Sequence, residues 1–427
     1  MLPILFVSVL AQAAPVPAPP LVLRAGTLID GRGGPPLQDA VIVIQDGKIA
    51  EVGPAASVRV PEGAEVKSLP QATLLPGFID AHVHLVGRML GEGDWQNAAV
   101  RDLPAEGVIR GVRNARVTLE AGFTTVRNVG ADAFGDVALR KSIEQGVVPG
   151  PRILTAGHAI GITGGHCDEN GFAPGISESD PLHGVADGPE EAIKAVRLQM
   201  KYGAQVIKIC ATGGVLSEGD APGVQQMLAE EIEAVVHEAH LAGRKVAAHA
   251  HGTEGILAAV RGGVDSIEHG TLLDDAGIRL MKEKGTFLVP TLSAGRVTME
   301  LADRGILTGE RAAKARTMGP RMGQALAKAV QAGVKVALGT DAGVGAHGTN
   351  AREFGYMVEA GLTPMQAILA GTRGGAELLG LAAEIGTVEK GKVADLVAVA
   401  GDPLKDIHLL EHPILVVHQG KVTFSAP

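Results

Sequence analysis

Residues 76–385 alternate short apolar segments with longer segments whose apolar residues have helical spacing. The short segments have the length of buried β-strands, and a glycine follows each of the later helical segments, as is common where a helix ends. Eight such units predict an α/β architecture, and they fit a (β/α)8 TIM barrel better than an open sheet. Predicted strands occupy residues 77–83, 123–128, 152–156, 205–211, 245–250, 264–268, 286–290 and 334–340. Predicted helices between the later strands span residues 189–202, 228–242, 253–261, 274–283 and 310–332.

The two ends of the chain show another pattern, in which short alternating strands are separated by turn residues. Residues 21–75 include Asp46-Gly47 between two apolar runs, which is a strong β-hairpin signal. Residues 386–427 repeat the pattern after a turn at Gly391-Lys392. We expect the two segments to form one small β-sandwich domain beside the barrel of residues 76–385.

The first residues have the features of a secretory signal peptide. Residues 2–10 are apolar but too few to span a bilayer, Ala11-Gln12-Ala13 is a small-x-small cleavage pattern, and a proline-rich stretch extends to Pro20. We therefore expect residues 1–20 to comprise a signal peptide and a proline-rich start, with cleavage near Ala13 and export to the periplasm or the medium. A buried N-terminal strand is the alternative. No other stretch resembles a transmembrane segment, so we expect no membrane contact.

Composition excludes several classes of protein. The chain is 46% apolar and 20% charged, which is too apolar for a disordered protein. The formal net charge of -9 argues against a sequence-independent nucleic-acid binder, which needs a basic surface. Export would permit a disulfide between the only two cysteines, Cys167 and Cys210. Because Cys210 lies in a predicted buried strand, an inert core thiol is favoured over a bridge.

Metal-ligating side chains cluster at the carboxyl ends of the predicted strands, where a TIM barrel places its active site. These residues are His82, His84, Lys208, His249, His251, His269 and Asp341. Strand alternation puts both histidines of each His-x-His pair on one face. Lys208 stands in an apolar strand, where a buried amine needs a partner or a changed charge state. Since the barrel would direct all these groups toward one mouth, we predict a site for zinc or a similar divalent ion.

With these residues in place, the chain resembles the amidohydrolase superfamily. The matching stretches are residues 76–84, 207–209, 249–252, 265–270, 339–341 and 386–396. The resemblance covers nearly all of the chain after the predicted signal peptide. It is closest to the imidazolonepropionase-like and prolidase-like branch, which includes exported carboxypeptidase-like dipeptidases and ochratoxin-hydrolysing amidohydrolases.

The resemblance implies a centre with two divalent metal ions, for which zinc is the expected metal. The ligands of the first ion would be His82, His84 and Asp341, and those of the second ion would be His249 and His269. Lys208 would be carboxylated and bridge both ions, so that a buried cation becomes an anionic ligand. Asp341 would take a proton from the attacking water and pass it to the leaving amine. A one-metal site with an unmodified Lys208 is the alternative.

Further residues are candidates for contact with the substrate. His166 lies in the connection of residues 157–188, which is long enough to form a lid and resembles the same branch. His251 would contact either the substrate or the metal ligands, and His347 would contact the substrate or cap the helix that begins near Asn350. We expect Arg127 to be structural.

Three functions are compatible with these residues. The branch similarity and the expected export favour hydrolysis of the amide bond of N-acyl amino acids or dipeptides, including release of phenylalanine from ochratoxin A to give ochratoxin alpha. The alternative hydrolase would open a cyclic amide or lactone, as in imidazolonepropionase. A non-catalytic binding protein would not need a proton-shuttling Asp341. Relatives are often oligomers of up to eight chains, so we expect a homo-oligomer acting on a small molecule, with no nucleic-acid partner.

Overall fold

The computed structural model describes residues 19–177 and 179–426. The predicted cleavage site near Ala13 lies outside these residues. Within them, no helix combines the length and apolar character that crossing a membrane requires.

Strands and helices alternate in the middle of the chain, and strands alone occupy its ends. In the described residues the strands are β1 Leu21–Leu28, β2 Leu37–Gln45, β3 Lys48–Pro54, β4 Glu65–Pro76, β5 Phe78–Val83, β6 Phe123–Asn128, β7 Arg152–Thr155, β8 Val206–Cys210, β9 Lys245–Ala250, β10 Ser266–His269, β11 Phe287–Val289, β12 Leu396–Ala400, β13 Pro413–His418 and β14 Lys421–Ser425. The α-helices are α1 Trp95–Arg101, α2 Pro104–Glu120, α3 Gly135–Glu144, α4 Pro189–Tyr202, α5 Ala229–Leu241, α6 Thr253–Gly262, α7 Asp275–Lys284, α8 Leu292–Asp303, α9 Gly309–Met318, α10 Leu326–Ala332, α11 Arg352–Glu359, α12 Pro364–Leu369 and α13 Gly375–Leu379.

The small domain is one mixed sheet built from both ends of the chain. Its strands follow the order β14-β13-β12-β4-β1-β2-β3, and β1 runs parallel to β4 while the other neighbours are antiparallel. Asp46 and Gly47 form the turn between β2 and β3 with φ of 51° and 77°, the left-handed pair that a tight hairpin needs. Buried aliphatic residues such as Leu23, Ile42 and Leu396 pack into a core of their own. The domain expected from both termini as a small β-sandwich is therefore present as a β domain, and the strands named here are hydrogen-bonded into one sheet.

The middle of the chain forms parallel strands covered by helices, as an α/β barrel requires. In the described residues, β5, β6 and β7 make one parallel sheet, and β8, β9, β10 and β11 make another. At one seam between the sheets, Gln205 N–H donates to Thr155 O at 2.7 Å, and Cys210 N–H donates to Ile160 O at 2.8 Å. The regular ladders stop at this seam, because residues 157–188 leave the sheet after β7.

The eighth predicted strand, residues 334–340, is not a regular strand. The segment still lies between β11 and β5, because Leu288 N–H donates to Lys335 O at 2.9 Å and Ala81 N–H donates to Leu338 O at 2.8 Å. Leu338 N–H, however, donates to Ala370 O in the helical turn behind it. This partner outside the sheet interrupts the ladder, and the segment keeps only single bridges to its neighbours.

The helix predicted over residues 310–332 is wrong as a single helix. The chain forms α9, a 3₁₀ turn at Gly319–Arg321 and then α10. Pro320 cannot donate a backbone hydrogen bond, and Gly323 has a φ of 83°, so the α-helical hydrogen bonds cannot continue. The sequence also missed α8, which directly follows β11. Helices α8 and α9 extend the chain beyond the carboxyl end of β11, toward the site.

The prediction that Cys210 is a free core thiol is wrong. Cys210, at the end of β8, forms a disulfide with Cys167, and their Cα atoms are 5.9 Å apart. The long connection of residues 157–188 crosses this strand end closely, since a Cβ placed on Gly161 would lie 2.9 Å from Cβ of Cys167. The absence of a side chain at Gly161 lets Cys167 approach β8.

Candidate active site

Eight of the nine predicted site residues line one cavity of about 550 Å³ at the carboxyl ends of the strands. They are His82, His84, His166, Lys208, His249, His251, His269 and Asp341. The ninth, His347, is 8% exposed and is not among the lining side chains. A substrate contact for His347 therefore stays a prediction.

One cluster of donor atoms joins the first strand to the last segment of the barrel. Ligand atoms of His82, His269 and Asp341 all lie within 4.8 Å of one another. Nε2 of His84 is also near, at 3.4 Å from Oδ1 of Asp341, and Nε2 of His82 is 3.6 Å from the same oxygen. Asp341 thus lies close to both His82 in β5 and His84 just after it, as the resemblance implies.

A second cluster lies on the neighbouring strands. His249, His251 and His269 each offer a ring nitrogen, and these atoms also fall within 4.8 Å of one another. His269 takes part in both clusters because β10 ends between β9 and β11. Lys208 is 4% exposed and lines the same cavity from β8, next to β9.

Four of these rings contact an oxygen atom of the protein through Nδ1, whereas Nε2 of His249 lies 3.5 Å from Gly213 O. The Nδ1 contacts are His82 with Glu268 at 2.7 Å, His84 with Gly130 O at 3.1 Å, His251 with Thr271 at 2.7 Å and His269 with Thr291 at 2.6 Å. Glu268 and Gly130 O can only accept, so they hold Nδ1 of His82 and His84 as the N–H atom and leave Nε2 unprotonated. Metal-ligating histidines need this arrangement.

Charge states support the same interpretation. Burial lowers the pKa of His82, His249 and His269 well below the ordinary value, so their rings are neutral, as metal ligands must be. Burial also lowers the pKa of Lys208 to about 8 and raises that of Asp341. Neutral imidazoles with a carboxylate are a donor set that fits zinc or a similar divalent ion.

Glu268 is a residue of the site that the sequence did not reveal as such. Its Oε2 contacts His82, while its Oε1 accepts hydrogen bonds from Arg127 Nη2 at 2.8 Å and Ser266 Oγ at 2.5 Å. Glu268 is fully buried, and a buried carboxylate requires such partners. A charged residue within the buried strand β10 was the available signal. Arg127 is structural, as expected. It binds Glu268, and Glu268 in turn contacts His82, a metal-ligand candidate.

His166 reaches the cavity from the long connection after β7. Its ring centroid is 4.1 Å from that of His249, and its backbone N–H donates to Gln226 Oε1 at 2.9 Å. The ring packs against the backbone of Gly214, where a Cβ would lie 2.1 Å from the ring. The long connection therefore contributes a fixed side chain to the site.

Aliphatic side chains also line the cavity, namely Leu90, Val215, Leu216, Leu301, Ile306, Leu307 and Met322. Leu301 and Leu307, from the end of α8 and the segment after it, pack with Leu90, Val215 and Leu216 in one apolar cluster. Arg88 and Arg311 also line the cavity, and each is paired with an acidic residue: Arg88 with Asp102 at 2.7 Å and Arg311 with Glu218 at 3.1 Å. The cavity thus combines polar groups that could hold a metal ion with an apolar wall made of these seven side chains.

Comparison with known proteins assigns the class. The sequence profile of the Amidohydrolase family matches residues 73–423, and the chain belongs to this family. It is accordingly a hydrolase that acts on amide bonds, and the predicted superfamily and fold class are confirmed.

Several individual proteins are similar to this chain. Ochratoxinase from Aspergillus niger is 35% identical over 428 residues, which cover 95% of this chain and 87% of that protein. A solved Xaa-Pro dipeptidase with methionine bound in its active site is 39% identical, with a TM-score of 0.90 over 95% of this chain and 100% of that chain. Imidazolonepropionase from Micrococcus luteus is 27% identical over 409 residues, which cover 88% of this chain and 91% of that protein.

Proposed function

We propose that this protein is a two-metal hydrolase that cleaves the amide bond of N-acyl amino acids or dipeptides with a bulky apolar group. The observation that carries the proposal is the cavity itself. Neutral histidines, Lys208 and Asp341 line it together with the seven side chains of the apolar wall. The similarity to ochratoxinase and to a Xaa-Pro dipeptidase supports the same substrate class.

The residues present fit two zinc ions. His82, His84 and Asp341 would hold one ion, and His249 and His269 would hold the second, with carboxylated Lys208 between them. Bound divalent ions of this kind polarise a carbonyl oxygen and lower the pKa of water. His251 lies beside the second set, and Thr271 fixes its ring, so it would contact the substrate or support the ligands.

Asp341 is the group of this chain that would move a proton. Burial raises the pKa of Asp341, which makes its carboxylate a better base than an exposed aspartate. It would accept a proton from the attacking water as the water oxygen bonds to the carbonyl carbon. It would then deliver that proton to the amine nitrogen as the C–N bond breaks.

Lys208 has the environment that a carboxylated lysine needs. Burial lowers its pKa from 10.5 to about 8, so about a tenth of the amine is neutral at pH 7, far more than for an exposed lysine, and the neutral amine is the form that reacts with CO₂. In the variant Lys208→Ala, the bridging oxygen ligand is lost and activity should fall with it. Addition of a small carboxylate such as propionate should restore part of the activity, because it can occupy the vacated space. Lys208→Ala with wild-type activity would argue for the one-metal alternative.

The apolar wall sets the expected specificity. Seven aliphatic or Met side chains offer a surface for a bulky apolar acyl group or side chain, and their burial of such a group favours binding by about 25 cal/mol per Å². Ochratoxin A and dipeptides with Phe, Leu or Met therefore should be better substrates than small polar ones. Imidazolonepropionase-type substrates are small and polar, so this wall disfavours the cyclic-amide alternative.

The deciding experiment is a substrate panel with zinc-loaded protein. It should contain Xaa-Pro, Xaa-Arg and Xaa-Phe dipeptides, ochratoxin A and imidazolone propionate, with amino acid release as the signal. We expect turnover of apolar acyl-amino acids, its loss after chelation and its return with zinc. Failure of the metal-replete protein to hydrolyse any acyl-amino acid would refute the proposal, and turnover of imidazolone propionate alone would establish the alternative.

We also propose that the protein is exported and forms a homo-oligomer. The disulfide Cys167–Cys210 supports export, because such bonds persist in oxidising compartments. Exposed apolar side chains on and between α1 and α2, namely Val100, Leu103 and Ile109, support contact between copies. N-terminal sequencing of the protein secreted by its host and light scattering of the purified protein test the two statements.

A further inference from the structure

We propose that Ser217, Asp220 and Lys314 form a hydrogen-bonded chain that positions His166, holding a proton on its Nδ1 and presenting its Nε2 to the substrate. The proposal rests on the proposed function, since it assigns positioning residues to that same site. It adds three residues to the site, none of which is a metal-ligand candidate.

These hydrogen bonds are continuous from α9 to the cavity. Lys314 Nζ donates to Asp220 Oδ1 at 2.8 Å, and Ser217 Oγ donates to the same carboxylate oxygen at 2.7 Å. Nδ1 of His166 lies 2.8 Å from Ser217 Oγ. Each distance is that of a good hydrogen bond.

The order of donors follows from what each group can do. A carboxylate only accepts, so the single hydroxyl proton of Ser217 is directed to Asp220. The serine oxygen is then an acceptor toward the ring, and Nδ1 of His166 must carry the proton. The neutral ring consequently has its lone pair on Nε2, at the edge opposite Ser217, where it can accept a hydrogen bond from a donor of the substrate.

Asp220 is held in the ionised form that this order requires. Its second oxygen, Oδ2, accepts from Gly214 N–H and from Gln226 Nε2, both at 3.1 Å. Although burial raises the pKa of Asp220, its hydrogen bonds with Lys314, Ser217 and Gly214 outweigh this effect and lower it. Gln226 also accepts the backbone N–H of His166, so one amide group links the histidine to the carboxylate.

The ion pair between Lys314 and Asp220 is buried, which favours a structural role over a surface one. The side chains of Lys314 and Asp220 are only 7% and 6% exposed, and removing two such charges from water is costly unless further hydrogen bonds compensate. Lys314 finds these in Glu310 at 2.7 Å and in Ser217 O at 3.1 Å. The pair thereby fastens α9 to the loop after β8, and this loop to His166.

The test compares Lys314→Met with a matched control, Lys328→Met. Lys328 also pairs with an aspartate, Asp275, but both lie exposed on neighbouring helices. We expect Lys314→Met and Ser217→Ala to raise KM for an acyl-amino acid about tenfold with a smaller effect on kcat, which corresponds to the loss of one oriented hydrogen bond. Zinc content should be unchanged. The double variant Lys314→Met/Ser217→Ala should have a KM no higher than that of the more impaired single variant, because both residues act through the same hydrogen bonds.

A spectroscopic measurement decides the proton position independently of turnover. Proton–nitrogen correlation spectra of ¹⁵N-histidine-labelled protein should show the His166 ring with Nδ1 protonated, assigned by the loss of its signals in His166→Gln. Ser217→Ala should shift these signals. A ring protonated on Nε2 alone, or a KM for Ser217→Ala equal to that of the Lys328→Met control, would overturn the proposal. If the wild type hydrolyses no acyl-amino acid, the proposed function fails, while the spectra still test the hydrogen bonds from Lys314 to His166. If Lys314→Met does not fold, Ser217→Ala carries the same comparison.

Discussion

Oε2 of Glu268 lies 2.7 Å from Nδ1 of His82, and both side chains are almost completely buried. The carboxylate orients the ring and increases the basicity of Nε2, the atom that faces the cavity. Arg127 neutralises the charge of Glu268 from the other side. The three residues come from β10, β5 and β6, so the barrel strands themselves hold the metal-ligand candidate in place.

Replacement of Glu268 should therefore weaken metal binding without touching a metal ligand. We expect Glu268→Gln to lower zinc affinity by about 10–100-fold, as measured by competition with a chromogenic chelator. The variant should also melt at a lower temperature, because the buried Arg127 loses its counter-charge.

A second variant separates these two effects. Arg127→Gln combined with Glu268→Gln removes both charges and should recover part of the stability but none of the zinc affinity. Glu300→Gln, which breaks an exposed pair with Arg304, is the matched control and should change neither property. Unchanged zinc affinity in Glu268→Gln would show that the contact with His82 does not tune the site.

Asp341→Asn should abolish turnover and leave the fold intact. The amide keeps the size of the side chain but cannot accept and return a proton, so kcat should fall by at least about 100-fold. Circular dichroism and the thermal melt of the metal-free variant should match those of the metal-free wild type, because the side chain lies at the cavity and not in the core. Activity comparable to the wild type would remove the proposed proton transfer.

Glu353 should make stability depend on pH. It is fully buried under α8 and accepts hydrogen bonds from Leu292 N–H and from both Ser293 N–H and Oγ–H. Burial raises its pKa from 4.5 to about 7 in spite of these bonds. The folded protein therefore binds this proton more tightly than the unfolded chain does, and stability is lost as the pH rises from about 4.5 to about 7.

The Glu353→Gln variant isolates this contribution. By linkage, ionisation of Glu353 costs about 3 kcal/mol above pH 7, and none of this cost remains in the variant. Urea unfolding of both proteins at pH 5 and pH 8 measures it: the wild type should lose more stability than the variant between these values. Equal losses in the two proteins would mean that Glu353 keeps an ordinary pKa in the fold.

The disulfide Cys167–Cys210 should stabilise the long connection of residues 157–188. It joins residues separated by 43 positions, and a bond closing a loop of this length contributes about 2–4 kcal/mol. We expect Cys167→Ser and Cys210→Ser to melt at lower temperatures than the wild type. A thiol reagent should label neither cysteine in unreduced, denatured wild-type protein, and labelling of both would show that the bond is absent.

Local patterns were sufficient to predict much of the fold. The bounds of β9 and of α4 agree with the prediction to the residue, because apolar period and glycine positions act over a few neighbouring residues. The irregular last segment of the barrel and the break before α10 were not predicted. The irregular segment depends on the bond from Leu338 N–H to Ala370 O, a partner distant in sequence. The break before α10 depends on Pro320, which lies inside an apparently helical stretch.

Alternation and strand length were enough to place His82, His84, His249 and His269 at the strand ends. The partners of these residues depend on contacts between distant parts of the chain. Glu268 lies 186 residues from His82 in the chain, and Lys314 lies 94 residues from Asp220. Contacts over such separations depend on the register of the strands and on where long connections cross them, and no local pattern encodes either. The same reason accounts for Cys210, whose strand was predicted correctly while its bond to Cys167 was not.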